Sequence, residues 1–198
     1  MQSVTFHLGG GIHASRLALF GRLILALPLL FLTFAYGMFQ LVLLPFRAIL
    51  LLLMGERDTR AWEQSRRIVE FCANVSAFLL LLSDHLPMRA VKVRLAYSPL
   101  VSKLELLFRI PFGFLLFFNM LVLGLVALPF WALEFLHILI HSKRHPDLHR
   151  ILLTYLQFNI EMRAYLFLGV DERPELFPQT LLGLIKRYFC HLMPVRPR

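Results

Sequence analysis

Residues 28–44 read PLLFLTFAYGMFQLVLL, and residues 112–128 read FGFLLFFNMLVLGLVAL. Each stretch has 17 residues and contains no charged side chain. A transmembrane helix needs about 17–25 predominantly apolar residues, so each stretch is long enough to cross a bilayer. The two segments predict an integral membrane protein, because a water-soluble fold would have to bury both of them.

The composition of the whole chain agrees with a membrane location. Of its 198 residues, 58% are hydrophobic and 17% are charged, whereas an average soluble domain is about 45–50% apolar and about 25% charged. Twenty-one Lys and Arg residues against twelve Asp and Glu residues give a net charge of +9. The basic residues stand singly or in pairs at the borders of the apolar runs, which is typical of anchoring at lipid headgroups. We therefore expect anionic membrane lipids as partners, and no nucleic acid.

The two halves of the sequence are similar at a spacing of 87 residues. Residues 4–8 and 91–95 both alternate apolar and polar positions, as a short strand does. The polar positions and prolines give the comparison its weight: Arg22 matches Arg109, and Asp84 and Pro87 match Asp171 and Pro174. One local difference is that Pro45 matches Pro129 at a spacing of 84. The pattern predicts a tandem duplication.

Each half shows the same predicted order of elements. A strand-like leader is followed by a basic amphipathic segment, an apolar run, a proline that breaks or kinks the helix, a short apolar stretch and a final helix. The final helices are residues 62–83 and 148–170, and the short apolar stretches, whose position in or on the bilayer stays open, are residues 46–54 and 130–140. The predicted fold class is an all-α integral membrane protein. It is a tandem duplication of a helical hairpin unit with about four membrane helices, amphipathic interfacial helices and short strand-like leaders.

Three units follow from this division. The first membrane repeat comprises residues 1–88, the second comprises residues 89–174, and residues 175–198 form a basic amphipathic tail. Two spans in each repeat would bring both repeats into the membrane from the same side, related by a pseudo-two-fold axis along the membrane normal. The distribution of Lys and Arg favours a multi-pass protein with both termini on the cytoplasmic side.

The motifs at the ends of the repeats resemble a bacterial family of small membrane proteins, domain of unknown function 4389, whose members often contain one such unit. The resemblance rests on the Ser-Arg or Ser-Lys opening, the Leu-Pro or Ile-Pro step and a closing motif: Arg163, Ala164, Tyr165, Leu166, Asp171, Pro174 and Phe177. In the first half, Ser76 and Phe78 stand in place of Arg163 and Tyr165. The resemblance implies two tandem copies of a membrane fold in the bacterial inner membrane. It implies no activity and no catalytic residues.

One group of residues could bind a metal. Glu134, His137 and His141 are spaced three and four residues apart, so they would lie near one helix face. Carboxylate and imidazole groups are a reasonable ligand set for zinc, for iron or for an axial position of haem. The alternative is an amphipathic segment whose histidines lie at the level of the headgroups. We favour the alternative, and we expect no cofactor apart from bound lipid.

Other polar residues are candidates for contacts with lipid or with a partner protein. Glu161 and Arg163 lie in the final helix of the second half, where a charge that faced lipid would be costly. They project about 200° apart on a helix, so each needs its own partner. The remaining candidates are basic residues beside the apolar runs or in the tail: Arg16, Arg22, Lys103, Arg109, Lys186 and Arg187.

The sequence contains no pattern that predicts an enzyme. Asp84 and Asp171 are each followed by a proline three residues later, which indicates a helix end and a turn rather than an acid–base pair. The triple glycine at residues 9–11 lacks the rest of a phosphate-binding motif and predicts a turn. Our leading hypothesis is a non-catalytic membrane subunit or scaffold that binds and stabilises a larger membrane protein complex. The alternatives are a lipid-handling or transport component with a groove between the repeats and, third, a haem- or metal-binding redox subunit.

Overall fold

The computed structural model describes residues 4–8, 16–83, 91–99, 103–175 and 178–192. Within these residues the elements follow one another as β1 (Val4–Leu8), α1 (Arg16–Met54), α2 (Thr59–Leu79), β2 (Val91–Leu95), α3 (Lys103–His141), α4 (Pro146–Leu166) and α5 (Gln179–Leu192). The predicted turn at residues 9–11, the boundary near residue 88, and Asp84, Pro87 and Phe177 lie outside the described residues. The predominance of helix and the two strand-like leaders agree with the predicted fold class.

Helices α1 and α3 continue through their internal prolines, so of the two predicted outcomes, a break or a kink, a break at Pro45 and Pro129 is excluded. Each helix is 39 residues long and contains a second proline, Pro28 or Pro111. An internal proline removes one backbone hydrogen bond and costs about 3 kcal/mol. Continuing the helix still satisfies more backbone groups than ending it in apolar surroundings, where an unpaired group costs several kcal/mol. The amphipathic segment, the apolar run and the short apolar stretch of each half are therefore one helix.

The second series of elements has the same order, lengths and spacing as the first. Its members begin at residues 91, 103 and 146, each 87 residues after residues 4, 16 and 59. The backbone details recur at the same spacing: Gly55 and Ser142 have φ values of 73° and 56°, and Leu81 and Leu168 have φ values of 65° and 61°. Because α1 and α3 have equal lengths, the different spacing of Pro45 and Pro129 is a shift of one helical turn and not an insertion.

Within each half the two helices form an antiparallel hairpin. In the first, Tyr36 of α1 contacts Phe71 of α2 with ring centroids 5.2 Å apart. In the second, Phe112 of α3 contacts Tyr165 of α4 with centroids 5.7 Å apart. Helices α2 and α4 pack against each other and supply most of the largest buried cluster, which includes Val69, Ala73, Leu152, Leu156 and Tyr165.

The two halves run in opposite directions. Leu19, near the start of α1, shares a buried cluster with Ile138, near the end of α3. Leu51, near the end of α1, shares another with Leu106, near the start of α3. Helices α1 and α3 are therefore antiparallel, and each end of the molecule combines the open end of one hairpin with the turn of the other.

Strands β1 and β2 form an antiparallel two-stranded sheet in which Phe6 pairs with Val93. The strands were predicted, but their pairing was not. The sheet lies on α2, where the side chain of Asn74 forms hydrogen bonds with both backbone groups of Val91 at 2.8 Å. Val91, Val93 and Leu95 are buried, while Lys92 and Arg94 are exposed on the opposite face.

Two helices are long and apolar enough to cross a membrane, judged by length and composition: Leu19–Leu53 within α1 and Glu105–His141 within α3. Four such helices were expected, but in the described part of the chain α2 and α4 do not qualify. The predicted amphipathic tail contains α5, which packs on α4. Its Leu181 is buried, and its Lys186 and Arg187 are exposed.

Candidate functional site

Helices α1 and α3 expose large apolar side chains along their whole length. We call this surface the helix-pair face; it includes Phe20, Ile24, Leu27, Phe31, Phe34 and Leu53 of α1, and Leu107, Phe114, Phe118, Leu125 and Ile140 of α3. Several of these side chains are more than two thirds exposed, for example Phe31 at 73% and Phe114 at 78%. Monomeric soluble proteins rarely expose contiguous apolar patches of more than a few hundred Å². The face therefore needs a non-aqueous environment or a partner.

A buried cluster of three charged residues lies where the end of α1 meets the end of α4. We call it the Arg57 cluster, and it consists of Arg57, Arg109 and Asp171. Arg57 donates to Asp171 Oδ1 at 2.7 Å, and Arg109 donates to the same oxygen at 3.1 Å. Both arginine side chains are almost fully buried, whereas the Asp171 side chain is 24% exposed. The carboxylate neutralises part of the charge of the two guanidinium groups and ties the first half to the second.

Four buried arginines bind backbone carbonyls that follow the ends of α2 and α4. After α2, Arg22 donates to Ser83 and Arg144 donates to Leu81. After α4, Arg109 donates to the Val170 carbonyl at 2.8 Å, and Arg57 donates weakly to the Gly169 carbonyl at 3.5 Å. The last carbonyls of a helix have no partner within the helix, and basic side chains commonly supply one. Arg22 and Arg109, predicted as lipid or partner contacts, thus hold the helix ends of the fold.

A cavity of about 400 Å³ lies beside the Arg57 cluster, at the end of α1. Its polar lining includes Arg47, Glu56, Asp58 and Ser65, and its apolar lining includes Leu50, Leu51, Trp62 and Leu168. The Arg47 guanidinium donates to Gln40, Gln64 and Ser65 at 2.7–3.0 Å. The cavity combines an apolar wall with charged groups of both signs, and within it the Arg47 guanidinium can donate to the polar head of an amphiphile.

The opposite end of the molecule contains the histidines. Glu134 is buried, and its Oε2 accepts the backbone N–H of His145 at 3.3 Å. His137 Nδ1 donates to the Lys143 carbonyl at 3.0 Å, and its ring stacks on His141 with centroids 4.5 Å apart. Burial lowers the pKa of His149, and the positive charge of Arg144 adds to this effect. In the described part of the chain, no three His, Cys, Asp or Glu side chains are arranged to hold a metal ion.

We expect elemental analysis of the purified protein to find no stoichiometric zinc, iron or copper. In the part of the chain that the structure describes, no group of three His, Cys, Asp or Glu side chains converges closely enough to hold one ion. The control is a His137→Ala, His141→Ala double variant. A metal that is present in the original protein and lost in this variant would contradict the expectation.

The two charged residues singled out in α4 have separate surroundings. Glu161 accepts a hydrogen bond from Gln157 at 3.1 Å, and burial raises the pKa of its carboxyl above the ordinary value. Arg163 lies next to Cys72 of α2: burial raises the pKa of this thiol, and Arg163 opposes the rise. Cys72 is thus a neighbour of Arg163 on the adjacent helix. The separate partners agree with the opposite projection of the two residues on the helix.

Replacing Glu161 with glutamine should stabilise the protein at neutral pH. Because the pKa of Glu161 is raised in the folded state, the folded protein holds this proton more tightly than the unfolded chain does. Stability therefore falls as the pH rises above the ordinary glutamate pKa of about 4.3, and the variant avoids this loss. Denaturant unfolding at pH 7 and near pH 4 measures the effect. Equal gains in the free energy of unfolding at both pH values would show that the charge of Glu161 is not responsible. The control is Glu63→Gln, on the exposed face of α2.

The remaining predicted contact residues are dispersed. Lys103 is exposed at the start of α3, and Lys186 and Arg187 are exposed on α5. Arg16 begins α1, but its side chain is not among those described. Arg187 does lie at a polar cleft between α4 and α5, together with Arg150, Gln157, Glu161, Glu175 and Thr180.

Sequence reasoning did not identify Arg57, Arg144 or the role of Asp171 in the Arg57 cluster. The sequence contained a signal, because Arg57 and Arg144 are 87 residues apart. In the structure each of them lies two residues after a residue with positive φ, Gly55 or Ser142. Three other pairs at this spacing differ in chemistry: Arg47 and Glu134, Glu56 and Lys143, and Asp58 and His145. The arginines that bind helix ends thus recur in both halves, while the charged residues Arg47, Glu56 and Asp58 of the cavity lining do not.

Residues 16–90 match the model of a family described as Domain of unknown function (DUF4389). The matched segment comprises α1, α2 and the residues that connect α2 to β2. It supports the family resemblance for the first half of the chain. No curated protein and no solved structure matches this sequence.

Proposed function

We propose that this chain is a non-catalytic membrane protein that serves as a scaffold or subunit of a larger membrane protein complex. The observation that supports this best is that its buried charged side chains and its exposed apolar side chains have separate roles. The buried arginines bind helix ends and Asp171, whereas the large exposed surface on α1 and α3 is apolar. A molecule built in this way is suited to binding and holding, because each of these arginines binds a group of its own fold.

The polar cleft between α4 and α5 is the surface we assign to the partner protein. Arg150, Gln157 and Arg187 are exposed there, next to Glu161 and Glu175. Mixed charges at the edge of an apolar molecule favour a partner that is recognised by charge complementarity as well as by burial.

Purification from native membranes in a mild detergent tests the proposal. We expect a stoichiometric complex that survives size-exclusion chromatography. Arg187→Glu should dissociate it, whereas Arg60→Glu, a charge reversal on the exposed N-terminal turn of α2, should not. A chain that runs alone, with or without either substitution, would contradict the scaffold function.

We also propose that the second half is a copy of the unit matched in the first. The equal lengths of the elements, their spacing of 87 residues and the recurrence of the Arg22–Ser83 bond as the Arg109–Val170 bond support a tandem duplication. With the family resemblance, this favours the bacterial cytoplasmic membrane as the location, with the polar parts of both halves on the cytoplasmic side.

Lipid handling is the second candidate function, supported by the cavity beside Arg47. A guanidinium next to an apolar wall suits the anionic headgroup and upper acyl chain of a phospholipid. Mass spectrometry of the purified protein should then find a phospholipid that is retained in Arg60→Ala and lost in Arg47→Ala. The absence of any retained lipid from the original protein would exclude this function. A redox role is the third candidate, and a visible absorption band would support it.

A further inference from the structure

The helix-pair face, the exposed apolar surface of α1 and α3, is longer than a bilayer is thick. A 39-residue helix measures about 58 Å at 1.5 Å per residue, and the hydrocarbon core of a bilayer is about 30 Å thick. On α1 the exposed apolar side chains extend from Phe20 to Leu53, and on α3 they extend from Leu107 to Ile140. Each span covers about 50 Å of helix. Even at a tilt of 40°, the upper end of the common range, it would cover about 38 Å across the membrane.

The charged face of the sheet lies at the level of the middle of α1. Tyr36, near the midpoint of α1, contacts Phe71 of α2, and Asn74 lies one helical turn further along α2. Asn74 is bonded to Val91, and the neighbouring Lys92 is exposed, as is Arg94. If α1 crossed the bilayer upright, both cations would lie near its mid-plane, where exposed charges are strongly disfavoured.

The opposite sides of the molecule differ in polarity. The strands pack against α2 and α4 and not against the exposed arcs of α1 and α3. Lys92, Arg94 and Gln157 face outward from the side of the strands and of α4, while the residues of α1 described as exposed from Ile24 to Phe46 are all apolar or small. This asymmetry is that of a monotopic protein, which has one side in lipid and one in water.

We propose that α1 and α3 lie flat, side by side, in a single leaflet of the membrane, with α2, α4 and the sheet on the aqueous side. This inference rests on the proposed membrane location and specifies its geometry. A helix is about 10 Å across and the hydrocarbon of one leaflet is about 15 Å thick, so the pair fits without crossing to the other surface. The net charge of +9 favours a leaflet that contains anionic lipid.

Depth measurements with single spin labels test the orientation. The background variant is Cys72→Ala, Cys190→Ala. In it a single cysteine replaces Phe20, Phe34 or Leu53 on α1, or Lys92 on the sheet. All four positions are exposed, so a label fits without repacking of the core. The full chain is reconstituted in phosphatidylcholine–phosphatidylglycerol vesicles. The accessibility of each label to oxygen and to a polar nickel complex gives its depth.

We expect the labels at Phe20, Phe34 and Leu53 to lie at similar depths within the hydrocarbon, and the label at Lys92 to be in water. A label at Phe34 that is deepest, with Phe20 and Leu53 at opposite surfaces, would overturn the flat orientation and leave the membrane location intact. Protein that is removed from the vesicles by alkaline carbonate would overturn the membrane location as well. Sidedness is measured with a membrane-impermeant maleimide at Lys103→Cys and Lys143→Cys, which should react from the same side.

Discussion

Arg57→Ala should lower the free energy of unfolding by about 3 kcal/mol, the lower end of the range for breaking a buried ion pair. The substitution removes the 2.7 Å bond to Asp171 and the bond to the Ser98 carbonyl. It also leaves Arg109 as the remaining cation on a carboxylate that is only 24% exposed. We expect the lower end of the range because water reaches Asp171 and replaces part of the hydrogen bonding that the carboxylate loses. Unfolding of the detergent-solubilised protein by denaturant titration measures the effect.

An exposed ion pair provides the control for Arg57. Arg67 donates to Glu63 at 2.8 Å, but its side chain is 71% exposed, so Arg67→Ala should change stability by less than about 1 kcal/mol. The Arg57→Ala, Asp171→Ala double variant should lose less than the sum of the single losses, because the two residues share one interaction. Additive losses, or equal effects of Arg57→Ala and Arg67→Ala, would show that the Arg57 cluster does not hold the two halves together.

Asn74→Leu should destabilise the protein by about 2–5 kcal/mol and detach the sheet from α2. The side chain both donates to the Val91 carbonyl and accepts from the Val91 N–H, and Val91 is buried. Leucine would leave both backbone groups without these partners, and each buried unsatisfied group costs about 1–3 kcal/mol. Hydrogen exchange of the β2 amides reports the detachment separately from global unfolding.

Asn74→Asp is the graded variant for this position. An aspartate still accepts from the Val91 N–H, and when it is protonated its carboxyl can also donate to the Val91 carbonyl. The ionised carboxylate would be buried against that carbonyl oxygen, so the loss of stability should grow as the pH rises. Thr154→Ala, a change on the outer side of α4, should have little effect on the β2 amides. If Asn74→Leu left exchange at β2 unchanged, the sheet would be held by its apolar face alone.

Local signals in the sequence were sufficient for the elements themselves. Alternation at residues 4–8 and 91–95 indicated both strands, and the two apolar runs lie within α1 and α3. These features depend on residues that are close together in the chain. The spacing of 87 residues was visible for the same reason, since it needs only a comparison of short segments.

The relations between the halves could not be read in this way. The pairing of Phe6 with Val93, the antiparallel course of α1 and α3, and the bond from Arg57 to Asp171 join residues that are 55 or more positions apart. The continuity of α1 through Pro45 was also missed, because a proline signals a break wherever water can satisfy the freed backbone groups. In the candidate site, the sequence singled out Arg22 and Arg109 as candidates for lipid or partner contacts, and their carbonyl partners became apparent only in the folded chain.

The pairing of β1 with β2 has a consequence for the assembly of the fold. A chain with one such strand would leave both of its backbone edges unpaired and would need a second molecule to supply the neighbour. Here the neighbour is part of the same chain, so the encounter is intramolecular and has an effective concentration that dilution does not change. The sheet should therefore form equally well in a cell that makes few copies of the protein and in one that makes many, whereas an obligate dimer built from separate units would dissociate as its concentration falls.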